Sequence, residues 1–154
     1  MENKSAPANC SSAEALVKNF MDFYAHLSLE RLSGLEEIYT QDIEFVDPIH
    51  GISGLLALKN YMKTLIRNMQ HYRICYQDHL VGENSACVAW EMDYAHKSVK
   101  GGQIITLRGI TRLKFTTRVY FHEDCYDLGA LLYDHLPVLG SVTGLLKRRL
   151  AARD

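Results

Sequence analysis

Apolar residues recur at two different periods along this chain, and the change of period divides it. In the first part they fall three or four apart. Leu16, Val17, Phe20, Phe23, Tyr24 and Leu27 form one stripe, opened by a capping pair of Ser11 and Glu14. Ser28 is a second cap, and Leu32, Leu35, Ile38 and Tyr39 mark a short second helix. Ile43 to Val46 reads as a short strand that Asp47-Pro48 ends, since proline cannot donate to a ladder. After a turn at Gly51 and Gly54, a third stripe runs through Leu55, Leu58, Tyr61, Met62, Leu65, Ile66 and Met69. From Tyr72 onward apolar residues alternate with polar ones: Tyr72, Ile74 and Tyr76; Val88, Trp90, Met92 and Tyr94; Ile105, Leu107, Gly109, Thr111, Leu113 and Phe115. Residues 82–84 and 116–117 suit hairpin turns, residues 100–102 sit in a longer one, and residues 119–126 form the last strand. The order predicts an α+β domain, with three helices on one face of a curved antiparallel sheet.

Composition agrees with one globular domain. Of 154 residues, 47% are apolar and 23% charged, and 17 basic residues face 18 acidic ones for a net charge of −1. That balance provides no global positive field for nucleic acid, and no aromatics interleave with the arginines of the sheet, so nucleic-acid binding is not expected. Neither a secretory apolar segment nor a stretch of about 20 apolar residues is present, which places the expected location in the cytoplasm. The cysteines (10, 75, 87 and 125) form no close pair and read as reduced thiols. The seven histidines show no metal-ligand spacing, and no Gly-rich phosphate loop occurs, so neither a metal nor a cofactor is expected. Residues 1–10 read as a disordered start, 11–130 as the domain and 131–154 as a helical extension. In the extension Val138, Leu139, Val142, Leu145, Leu146 and Leu150 form an amphipathic stripe ending in Lys147, Arg148, Arg149 and Arg153. Such a helix can pack on its own domain or dock on a partner protein; without Trp or Phe it is poorly suited to membrane contact.

Residues 39–48 (YTQDIEFVDP), Gly54, residues 108–115 (RGITRLKF) and residues 118–127 (RVYFHEDCYD) occur in the order and spacing of one superfamily. The chain resembles the nuclear transport factor 2-like fold, and within it the SnoaL-like branch that holds polyketide cyclases and relatives of ketosteroid isomerase. The resemblance covers about residues 12 to 130. It implies a cone-shaped domain with a pocket between sheet and helices, and homodimers built through the sheet. It fixes no single function.

Three residues are candidates for catalysis. Asp47 follows Phe45 and Val46 at a strand end and matches the base position of the isomerase branch; Asp before Pro is also a turn initiator. His122 and Asp124 are two apart on the last strand, share a face with Tyr120 and Tyr126, and form a proton-transfer pair if that face looks inward. Tyr24, Trp90, Met92, Tyr94 and Thr111 are candidates for ligand contact. Leu107 and Leu113 are expected beside the Trp90 stripe, and Arg108 and Arg112 are expected to pair with Glu91 and Asp93 across the strands. The isomerase chemistry needs a second carboxylic acid where Thr111 stands, so steroid isomerisation is not expected. The resulting expectation is a pocket for a small apolar molecule with acid-base chemistry of the isomerase, cyclase or dehydratase type. The competing one is a non-catalytic dimeric module that binds a partner through the C-terminal helix.

Overall fold

The computed structural model describes residues 8–97 and 100–127, with Gly129 and Arg148 beyond them. The C-terminal extension and its docking stripe otherwise lie outside the described residues. Helix α1 spans Ala8–Ala25, so it begins before the Ser11 cap that the sequence indicates. A 3-10 turn (Glu30–Gly34) leads into α2, Leu35–Ile38. Tyr39 does not continue that helix. Its backbone is extended (φ −110°, ψ 152°) and it opens strand β1, Tyr39–Val46, four residues earlier than the alternation from Ile43 implies. The side chain is fully buried in the strand, and a buried aromatic at helical spacing carries no signal to separate the two.

A three-residue strand, β2 (Gly51–Ser53), stands where only a turn was expected, and pairs antiparallel with β1. Gly54 then starts α3, Leu55–Asn68, at φ +90°, a conformation that side-chain-bearing residues rarely hold. Its amide donates to the Ile43 carbonyl at 2.8 Å, which ties the start of α3 to β1. Leu55, Leu58 and Met62 bury the inner face of the helix, while Met69 belongs to the next strand.

The remaining strands are β3 (Met69–Val81), β4 (Ser85–His96), β5 (Ile105–Phe115) and β6 (Val119–Tyr126). They form the expected meander, but the sheet has six strands in the order β2-β1-β6-β5-β4-β3 and is mixed rather than antiparallel. β1 lies parallel to β6, with Phe45 beside His122. The strands paired there are separated by α3 and three intervening long strands, so no local pattern announces the pairing.

The inner face carries the core. Phe20 and Val17 of α1, Ile43 and Phe45 of β1, Leu58 of α3, and Val88, Leu113 and Val119 of the sheet pack together. Leu113 therefore belongs to this cluster, while Trp90 packs with Ile105 and Leu107 in a second one. β5 keeps strict alternation along its length, with Thr106, Arg108, Ile110, Arg112 and Lys114 outward. Arg108 pairs with Glu91 at 2.8 Å, whereas Arg112 reaches across to Glu123 of β6 at 2.5 Å instead of to β4.

Register shifts occur in β1 and β3, but the one that bears on the site is in β6. Lys114 pairs with Phe121 but Phe115 pairs with Val119, so Tyr120 is an extra residue in that strand. The bulge turns Tyr120 outward, to 39% exposure, and lets Val119 and His122 both face inward. Tyr120 is thus not on the face of His122, contrary to the period-two reading.

Candidate functional site

The inner faces of β3 to β6, with α1 and α3 over them, enclose a cavity of about 350 Å³. All eight residues singled out in the sequence line it: Asp47, His122 and Asp124, together with Tyr24, Trp90, Met92, Tyr94 and Thr111. The rest of the wall is mainly apolar and aromatic, with Phe20, Phe45, Ile74, Tyr76 and Leu107 among its residues, and His50, Thr64, Asn68 and His96 add polar points.

At one end of the cavity the polar groups form a continuous chain. Asp124 stands opposite Thr111 in the β5–β6 register, and Trp90 is its diagonal neighbour on β4. The Trp90 indole donates to Thr111 Oγ1 at 2.9 Å, and that hydroxyl donates to Asp124 Oδ1 at 2.5 Å. His122 Nε2 lies 2.9 Å from the same oxygen, and its Nδ1 lies 2.7 Å from the Tyr39 hydroxyl. Tyr39 in turn meets the Tyr24 hydroxyl at 2.7 Å. Donor inventory sets the directions. An indole N–H only donates and an ionised carboxylate only accepts, so His122 donates from Nε2 to Asp124. A neutral ring then accepts at Nδ1 from Tyr39, which accepts from Tyr24. The Tyr24 proton is committed to this chain, so its hydroxyl is an acceptor toward the cavity.

His122 is 1% exposed and sits among aromatic rings, with Phe45 at 4.9 Å and Phe20 at 5.3 Å, both edge-on. Its two ring nitrogens are satisfied, which is what makes a buried imidazole tolerable. Asp124 is less enclosed, its side chain 23% exposed toward the cavity. Tyr39, which links the two halves of the chain, was not anticipated, because it reads as the end of a helix.

Asp47 lies at another part of the wall, and its carboxylate, 5% exposed, is heavily engaged. Oδ1 accepts the backbone amides of Ile49 at 2.7 Å and His50 at 2.6 Å, the hydrogen bonds of the turn that Asp-Pro suggests. Oδ2 accepts the Tyr61 hydroxyl at 3.2 Å. His50 Nδ1 is 3.2 Å from both oxygens. His50 and Tyr61 also line the cavity, and neither was picked out as functional; His50 alone in a turn carries no chemical signal until its Asp47 partner is seen.

Burial raises the tyrosines around the cavity. Desolvation pushes Tyr24 and Tyr39 well above the ordinary phenol range, and it also lifts Tyr61, Tyr72, Tyr76 and Tyr126. A raised folded-state pKa contributes stability that is whole below the unfolded value of about 10 and is lost as pH climbs through the folded one. Alkaline titration followed at the phenolate absorbance band is therefore expected to show these tyrosines ionising together with unfolding. Smooth ionisation of all tyrosines at their ordinary value, with structure retained, would contradict the burial.

Among the described residues no cluster of three or more His, Cys, Asp and Glu side chains is arranged to hold a metal ion, and no helix is long and apolar enough to cross a membrane.

Compared with known proteins, residues 20–118 match the model of a family described as the SnoaL-like domain. No curated protein matches the sequence significantly. Among solved structures, a candidate SnoaL-like polyketide cyclase from Jannaschia sp. CCS1 aligns at 12% identity over 83% of this chain and 94% of its own, with a TM-score of 0.70. A protein with a ketosteroid isomerase-like fold from Catenulispora acidiphila, in complex with trimethylamine, aligns at 12% identity over 78% and 91%, with a TM-score of 0.65. AclR, a candidate hydroxylase from Streptomyces galilaeus, aligns at 16% identity over 85% and 86%, with a TM-score of 0.63. At these identities the likeness is one of fold.

Proposed function

The chain belongs to the SnoaL-like domain family, and from that footing we propose that it binds a flat, largely apolar organic molecule and carries out proton-transfer chemistry on it of the cyclase or isomerase type. One observation carries the reading: a cavity of about 350 Å³, walled by aromatic and aliphatic side chains, with the Asp124–His122 pair on its surface. That volume lies within the range of about 300–1,000 Å³ usual for small-molecule sites. Apolar walls favour a fused-ring substrate, and the few polar groups set its orientation.

In this reading Asp124 is the group that exchanges a proton with the substrate. His122 and Thr111 hold one carboxylate oxygen between them, and the other is left for the ligand. The proton passes from a substrate C–H to the carboxylate, and the bonding pair stays on the substrate as an enolate. Return of the proton at another atom completes an isomerisation or ring closure, with no electron acceptor needed. No cofactor enters such a step. Met92 and Tyr94 extend the apolar wall for the rings, and Asp47 forms the second acidic point. A cone-shaped domain belongs to the proposed reading, supported by the core that Leu58 and Leu113 share. A homodimer through the outer face of the sheet belongs to the same reading, supported by Ile110 and Tyr120, which stand 48% and 39% exposed there.

Trp90 is the single tryptophan, and it lines the cavity, so its emission reports occupancy. Hydroxyanthraquinones are planar, mostly apolar and absorb where tryptophan emits. Saturable quenching of Trp90 by such a compound is the expected result. Met92→Tyr, which places a bulkier ring in the wall and leaves Trp90 the single tryptophan, should weaken it at least tenfold. Quenching that is linear and unsaturable, and unmoved by the Met92 substitution, would reject a ligand cavity.

A further inference from the structure

We infer that His50, held by Asp47, is a second proton-transfer group at the mouth of the cavity, and that Asp47 acts there as a positioning residue and not itself as the base. The inference rests on the cavity being a ligand site.

The oxygens of Asp47 are already in use. Two backbone amides, the Tyr61 hydroxyl and the His50 ring crowd them, and the side chain is 5% exposed. A substrate proton has no free lone pair to approach. His50 is the opposite case. Its side chain is 42% exposed and it lines the cavity. Nδ1 faces the carboxylate at 3.2 Å from each oxygen, while Nε2 has no hydrogen-bond partner among the described residues. A carboxylate accepts only, so it selects the tautomer with the proton on Nδ1 and leaves the Nε2 lone pair open. The Tyr61 ring, 4.9 Å from the imidazole, supports its plane, and the Tyr61 hydroxyl fixes the carboxylate behind it.

This is the division of labour of a carboxylate-backed imidazole. A substrate O–H or activated C–H gives its proton to Nε2, and its bonding pair stays behind as an oxyanion or enolate. The ring becomes an imidazolium whose charge lies against Asp47. Reversal returns the proton. The inner pair is built the other way round: His122 is 1% exposed with both ring nitrogens engaged, and Asp124 is the more open of the two. The lining thus presents a carboxylate at Asp124 and an imidazole at His50 to one ligand. The complementary arrangement suits a substrate that loses a proton at one end and gains one at the other.

The test uses the full chain and two probes, a hydroxyanthraquinone with its hydroxyl at the β position of the outer ring and the methyl ether of that compound. Only the first can donate to Nε2. In the wild type, nitrogen-15 NMR should find His50 with the proton on Nδ1, and the Nε2 resonance should move on saturation with the hydroxyl compound and not with the ether. His50→Gln should weaken the hydroxyl compound about fivefold, the worth of one hydrogen bond, and leave the ether within twofold. Asp47→Asn should abolish the tautomer preference, which loss of a turn hydrogen bond alone would not do. Equal losses for both probes in His50→Gln, or a proton found on Nε2, would overturn the assignment while leaving the cavity reading intact. Absence of Trp90 quenching by either probe would overturn both.

Discussion

Replacement of His122 by alanine should cost about 3–5 kcal/mol of folding stability, the largest effect expected of any single substitution at this site. The imidazole fills a space between the rings of Phe20, Phe45 and Tyr39. Its removal also strips Tyr39 of its acceptor and Asp124 of a donor. A buried hydroxyl left unpaired costs about 1–3 kcal/mol beyond the lost packing. His122→Phe separates the two contributions, because it keeps most of the ring volume and loses both hydrogen bonds; it should fall about halfway. Urea denaturation checks both variants, with an unchanged m-value showing that stability alone has moved. A loss below about 1 kcal/mol in the alanine variant would mean that the chain through Tyr24, Tyr39 and Asp124 holds together without its centre.

The second large effect is expected where no side chain exists. Gly109 lies opposite Trp90 in the β4–β5 register, and the indole occupies the space where a side chain would start. A Cβ there would stand 2.4 Å from Trp90 Cζ2 and 2.8 Å from the backbone carbonyl of Cys125. The ring can be displaced; the strand carbonyl cannot move without opening the β5–β6 ladder. Gly109→Ala should therefore destabilise by about 2–3 kcal/mol. It should also expel the indole from its slot, breaking the bond to Thr111 and shifting Trp90 emission to the red. Unchanged emission and stability would mean that the close approach is not a constraint on the wall.

Much of this was legible in the residues, for a physical reason. Period-two alternation from Ile105 to Phe115 and from Val88 to Tyr94 reports burial on one face, and burial is what shapes the wall; hence all eight proposed residues line one cavity. What escaped are features set by distant partners. β1 lies parallel to β6 because of a pairing between strands far apart in the chain, and the mixed sheet follows from it. Tyr39 is a strand residue because Val119 lies beside it, although its spacing fits a helix. Tyr120 faces outward because the Thr116–Arg118 turn and the β5 register leave one residue over, a mismatch that alternation alone cannot foresee. The role inferred for His50 depends on a carboxylate three residues away whose direction only the folded turn sets. Asp47 illustrates the converse, since its turn hydrogen bonds and its place in the wall were both open readings and the structure contains both.

The pairing of the first long strand with the last has a consequence for biosynthesis. Tyr39 and Val119 are neighbours in the sheet, so β1, which already pairs with β2 on one side, receives its second partner only after residues 119–126 have left the ribosome. Closing so long a loop is slow compared with forming the helices or the β3–β4 hairpin. During translation the N-terminal half must wait with Ile43 and Phe45 covered only by the helices and not by Val88, Leu113 and Val119 of the sheet, a window in which a nascent-chain chaperone has apolar surface to hold. His122 arrives on that final strand, so the hydrogen-bonded chain from Trp90 to Tyr24 closes as the last strand docks.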